Sequence, residues 1–269
     1  MIAIPLLPDF PENSKLGFND AERSLAQLRM KEDAHGMSDI AGADAMTTGQ
    51  SLKAVFTDYK VYMMALSLTA MVISLSFNQF FPTLTRTLGY SNTVSLLLCA
   101  PPFGFATIMA FLVARHSDKV QERAFHIVVP LCFGLVGFII AMSTEVLAAR
   151  YVSLFLMSQS YSAFVVLYAW ISNTFPRPAM KRGIAIAFIN AFSQLGNVAG
   201  AYIFPSAWGP TYRKSYAICI ACFVFCIAGV LAHRWNLARL NRKLDAQDDA
   251  GEQNVAEGVE LPRGFRYVI

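Results

Sequence analysis

Acidic residues are missing from the interior of every long apolar stretch of this chain. All 18 Asp and Glu fall outside them, from Asp9 to Asp58 early on, at Asp118, Glu122 and Glu145, and in the last 30 residues. A proton relay at mid-membrane therefore has no carboxylate to use within these stretches. Charge of either sign is scarce, at 15% of 269 residues, where soluble domains hold about a quarter. The chain also lacks a phosphate-binding G-x-x-x-x-G-K-[ST] loop, an H-E-x-x-H pair and a G-x-S-x-G elbow, so no catalytic residue, cofactor or metal site is expected. Met1–Leu7 is apolar but too short for a signal peptide and is broken at Pro5 and Pro8; it reads as the end of an earlier span. Cysteine is sparse, with five residues, all in apolar blocks. Cys219, Cys222 and Cys226 share a helical face, but no His or acid accompanies them within the span, so they read as small packing residues.

What is present is apolar length. Six blocks of about 20 residues or more, at about 61–85, 92–114, 124–144, 151–175, 183–205 and 215–233, each meet the thickness of a hydrocarbon core. The expected fold is an all-α membrane protein whose bundle occupies residues 59–235, with the lipid bilayer as its solvent. Pro82, Gly89, Pro176, Pro178 and Pro210 mark the hinges. Residues 1–58 read as an aqueous segment. Asn19 with Glu22 suggests a capping box opening a short surface helix near 20–33, carrying Leu25 and Leu28. Residues 34–50 look flexible, and 236–269 read as a disordered tail. Of the 22 Lys and Arg, 18 fall in one alternating set of connections, and only Arg86, Arg150, Arg213 and Lys214 fall in the other. That asymmetry fits six crossings and places both termini in the cytoplasm. The basic tail residues are spread out, which gives no reason to expect nucleic-acid binding.

Polar side chains inside the spans are the candidate site. In the fifth, Asn190, Gln194 and Asn197 are spaced i, i+4 and i+7, which sets three carboxamides on one face. Gly196 and Gly200 form a G-x-x-x-G pair that lets another helix approach. In the fourth, Gln159, Ser162, Val166, Trp170 and Asn173 follow one stripe, with Tyr161 and Tyr168 nearby. In the first, Ser67, Ser74 and Asn78 share a face. The candidate cavity-lining set is therefore Asn78, Gln159, Trp170, Asn173, Asn190, Gln194 and Asn197. Single amides also serve as glue between helices, but three on one face exceed what packing needs. In the second span, Pro101, Pro102 and Gly104 predict a kink or a broken hydrogen-bond ladder.

Ala114–Arg123, ARHSDKVQER, resembles the major facilitator signature G-x-x-x-D-R-x-G-R-R. Asp118 matches its Asp, Lys119 replaces the first Arg and Arg123 matches the last basic position. Ala114 and Gln121 replace its glycines and Glu122 an Arg. LPDFPENSKLGFNDAERSLAQLRMKEDA is similar to the central cytoplasmic loop of fungal organic-anion permeases of the allantoate permease family. NTVSLLLCAPPFGFA, WISNTFP and QLGNVAGAYIFP resemble its spans eight, ten and eleven. That family has twelve spans in two six-helix halves. The resemblance implies that this chain supplies the second half only, either as a truncated product or paired with a separate amino-terminal six-helix half. It further implies plasma-membrane transport of a small organic anion such as a ureide or nicotinate, with residues 1–58 as the central loop and Asp118, Lys119 and Arg123 as a conformational loop motif. The alternative is a non-transporting, partner-binding membrane protein.

Overall fold

The structure, a computed structural model, describes residues 19–33, 47–86, 89, 91–175, 178–209, 211–256, 259–261 and 263–269. These fall into two units. One takes in the described residues before 47 with 244–265, the other 47–243 with 266–269. In the first unit Asp20–Asp33 is a helix. The Asn19 backbone N–H donates to the Glu22 carboxylate at 2.9 Å, one arm of the expected capping box. Val255–Ala256 and Val259–Glu260 form a two-residue antiparallel pair. Residues 34–46 and the hinges Pro176 and Pro210 lie outside the described residues.

Among the described residues of the chain, six helical stretches are long and apolar enough to cross a membrane. They are Tyr59–Thr85, Asn92–Val120, Ala124–Ser143, Leu147–Thr174, Met180–Gly200 and Arg213–Asp249, termed here the first to sixth spans. Two expectations are corrected. The stretch to residue 50 is not uniformly flexible: Thr48–Phe56 is helical, opened by a capping box between Thr47 and Gln50. The tail is not disordered from residue 236, because the sixth helix runs on to Asp249. Arg234 to Asp249 contains no Gly or Pro, and 10 of its 16 residues are Leu, Arg, Lys, Ala or Gln, all good helix formers, so nothing local ends the helix at the edge of its apolar block.

Three spans are interrupted, two of them beside prolines. Pro82 has no N–H to give the carbonyl one turn earlier, and the first span tightens to a 3-10 turn over Ser76–Phe80 before Phe81–Arg86 resumes. The second span breaks after Asn92–Leu97 and restarts at Ala100 with Pro101 and Pro102 in its first turn, where a missing donor is harmless. The carbonyl that Pro102 leaves unmatched, on Leu98, accepts a bond from the Tyr151 hydroxyl at 3.3 Å. Seven residues on, the Ser158 hydroxyl reaches the Pro102 carbonyl at 3.1 Å. Both hydroxyls belong to the fourth span, which itself restarts at Ser160 after a turn at Gln159.

Small residues set the spacing between spans. A Cβ added to Gly196 would stand 2.8 Å from the Thr69 carbonyl oxygen, and one on Gly200 would stand 2.5 Å from the Ser76 Cβ. The fifth span thus lies directly against the first. Gly137 meets the fourth span at Ser153 and Met157 in the same way, and Gly229 meets Ser67. Between these contacts Phe77, Phe138 and Phe223 are fully buried, with Phe138 5.6 Å from Phe77 and 5.5 Å from Phe223 between ring centroids. Cys219 and Cys226 are buried among these packing groups, and all five thiols are free.

Replacing Gly196 with Ala forces a methyl against backbone that cannot swing aside. The expected loss is about 1–3 kcal/mol, read as a lower thermal midpoint in detergent. Gly183→Ala on the same helix meets open space and is expected to be neutral or stabilising by up to about 1 kcal/mol. Equal midpoints for the two variants would contradict this packing.

Candidate functional site

The fifth span has two working faces. Ala185, Ile189, Ser193, Gly196 and Gly200 form the buried stripe. A separate face holds the predicted carboxamides, with Asn190 and Gln194 exposed and Asn197 half-buried. They form one connected ladder. The Tyr168 hydroxyl of the fourth span donates to the Asn190 Oδ1 at 2.8 Å. Gln194 Nε2 donates to the same oxygen at 3.4 Å, and Asn197 Nδ2 donates to Gln194 Oε1 at 2.7 Å. Each amide keeps further donor or acceptor capacity for a neighbour. Neighbouring Leu195, Val198 and Tyr202 are exposed too, so the ladder is a polar strip on an otherwise apolar open surface.

The other predicted lining residues separate into groups. Asn78 is exposed, in the 3-10 turn, while Ser67 and Ser74 from the same expected face are buried. The Ser74 hydroxyl donates to the Cys219 carbonyl at 2.9 Å. Asn173 is half-buried. Gln159 is buried, and its Nε2 donates to the Phe155 carbonyl at 3.3 Å. With Ser162 it borders a cavity of about 250 Å³ between the second, third and fourth spans, whose other walls include Met109, Phe125, His126 and Pro130. Trp170 is fully buried, and its Nε1 donates to the Val268 carbonyl at 2.8 Å. Neither Gln159 nor Trp170 joins the exposed ladder. Tyr168, which the sequence sets near the fourth-span stripe, enters the ladder through its hydroxyl, a pairing that spacing alone does not give.

Charged groups gather at one end of the bundle. Arg123 is 5% exposed, and its Nη1 lies 2.6 Å from Asp118 Oδ1 and donates to the Ser117 hydroxyl at 3.1 Å. The turn that permits this passes through Gln121 at φ 55°, a left-handed conformation in which the family signature places Gly and any L side chain is disfavoured. Lys119 is exposed. Glu122 caps the third span by accepting from the Phe125 N–H at 3.0 Å, and it holds Arg234 of the sixth span at 3.4 Å. Asp58 accepts from the Lys60 N–H at the start of the first span and pairs with Lys181 of the fifth at 2.7 Å. Two ion pairs therefore tie the end of the bundle across spans distant in sequence.

Asp58 and Lys181 are both largely buried. A double-mutant cycle of Asp58→Asn and Lys181→Met, read by denaturant unfolding, is expected to give a coupling of about 1–3 kcal/mol. Additive effects would show that the pair does not join the two spans.

Comparison with known proteins adds to this geometry. Residues 11–201 match the Major Facilitator Superfamily. An uncharacterised transporter of Schizosaccharomyces pombe is 26% identical over 88% of this chain and 48% of its own length. The major facilitator-type transporter hxnP of Emericella nidulans is 27% identical over 98% of this chain and 54% of its own length. The high-affinity nicotinic acid transporter of Saccharomyces cerevisiae is 23% identical over 64% of this chain and 33% of its own length. The chain spans about half the length of the first two of these relatives. No solved structure matches it. The match covers five of the six apolar helices and the Asp118–Arg123 turn, and from it the chain belongs to the major facilitator superfamily, its six spans forming one half of that bundle.

Proposed function

We propose that the chain is the second, carboxy-terminal half of a permease for a small organic anion of the nicotinate or allantoate kind. The observation that carries this reading is the ladder Tyr168–Asn190–Gln194–Asn197 on the open face of the fourth and fifth spans. Carboxamides turned to hydrocarbon cost several kcal/mol unless something polar covers them. A water-filled cavity closed by a second six-helix bundle, on the same polypeptide or another, supplies that cover. The name of the yeast nicotinic acid transporter supports the solute class.

In this reading the ladder binds the uncharged polar part of the solute. The spans hold no basic residue beside the ladder, so the counter-charge for a carboxylate comes from the facing bundle. Asn78 and Asn173 extend the wall, while Gln159 and Trp170 support it from behind. The turn at Asp118, Lys119 and Arg123 governs closure of the charged end. The excess of Lys and Arg on that side orients it and both termini to the cytoplasm, in the plasma membrane.

The test is uptake of labelled nicotinate and allantoate by cells expressing the chain fused to the amino-terminal half of a relative. Saturable uptake is expected, falling at least tenfold when Asn190, Gln194 and Asn197 are all changed to Leu at unchanged membrane level. A fusion that reaches the membrane and takes up neither anion sinks the proposal. In a variant lacking the five native cysteines, Gln194→Cys is expected to react with a water-soluble thiol reagent much faster than Phe192→Cys, and equal rates would remove the ladder from the cavity.

A further inference from the structure

Residues 266–269 return to the charged end of the bundle, where their backbone makes hydrogen bonds to several elements. The Tyr267 N–H donates to Asn241 Oδ1 at 2.8 Å, and Asn241 Nδ2 donates back to the Tyr267 carbonyl at 2.8 Å. A carboxamide thus pairs with this residue as a neighbouring strand would. The Val268 carbonyl takes the Trp170 indole N–H, and the Ile269 carbonyl takes the Arg123 backbone N–H at 2.6 Å. The Tyr267 ring is buried and lies 5.4 Å from the Lys60 ammonium, which is also 5.8 Å from the Phe175 ring. Trp170 is braced in turn by His233, at 4.7 Å between ring centroids, and the Thr174 hydroxyl contacts His233 Nε2 at 3.2 Å.

We infer that this is a peptide-binding site whose occupant is the chain's own segment 266–269, and that the segment works as a releasable latch over the charged end of the half-bundle. The anchors come from four places: Lys60 of the first span, Trp170 of the fourth, Asn241 of the sixth helix, and Arg123 at the turn between the second and third spans. A segment bound to all four holds them in one arrangement and lets them part when it leaves. The four hydrogen bonds described all use main-chain groups of the segment, so through them recognition is of backbone, with one aromatic ring beside it. The four hydrogen bonds described and one buried ring are set against the ordering of four residues, contributions of the same order. The latch therefore gives the superfamily half a control on its charged end that is separate from the polar ladder.

The test uses the full chain in detergent. Asn241→Leu removes only the contact at Tyr267. If the latch leaves as a unit, hydrogen exchange at the Arg123 amide and acylation of Lys60 by a water-soluble amine reagent both rise at least tenfold, although neither group touches Asn241 among the contacts described. Tyr267→Ala, which alters only the docked segment, is expected to accelerate Arg123 exchange equally, so the result does not depend on how well the Asn241 variant folds. Unchanged exchange at Arg123 or unchanged labelling of Lys60 in Asn241→Leu overturns the latch, as does an Arg123 amide that already exchanges freely in the unaltered chain. None of these readouts depends on transport.

Discussion

The close approach of the fifth span to the first is the contact on which the rest of the bundle depends. It exists because Gly196 and Gly200 present no side chain where Thr69 and Ser76 stand. A helix has one rotation about its axis. Once the glycine face is turned inward, the carboxamide face is placed too, and Asn190 and Gln194 are left open beside Tyr168. Packing and the candidate site are therefore one decision made twice along the same helix. In a bilayer, where burying apolar surface gives helices little reason to associate, such close van der Waals contact is the main source of cohesion.

A second constraint is that no backbone group within a membrane can look to water for a partner. Each interruption in the spans is matched by a donor from elsewhere or by a tighter turn. The hydroxyls of Tyr151 and Ser158 serve carbonyls at the break in the second span. The Ser74 hydroxyl reaches the Cys219 carbonyl of the sixth. Ser and Thr here are not incidental polarity, since many of their hydroxyls also return to a carbonyl one turn back, as Ser67 and Thr69 do.

Much of the fold was legible in residue order. Apolar length predicted the six spans, and the glycine pair predicted the tight helix contact. Pro101 and Pro102 predicted the break in the second span, because a missing N–H is visible in the letters. The carboxamide spacing predicted a shared face, which Asn190, Gln194 and Asn197 occupy. What could not be read were meetings between distant residues. Nothing in the letters joins Tyr168 to Asn190, Asp58 to Lys181 or Trp170 to residue 268. The fourth-span stripe shows the same limit. Period alone grouped Gln159 and Trp170 with the ladder residues, but Gln159 borders a separate cavity and Trp170 is fully buried. The Thr47–Gln50 capping box is legible in the spacing, although the residues before it are small and polar.

The paired interruptions in the second and fourth spans have a mechanical consequence. The break before Pro101 and the turn at Gln159 are joined by two hydroxyl-to-carbonyl bonds, seven residues apart on one helix. One bond sits at the break in the second span and the other beside the turn in the fourth, so each interruption is fastened to the neighbouring helix. A bend at either place pulls on the neighbouring helix, so the two interruptions are pinned to one another's helices rather than left as independent hinges.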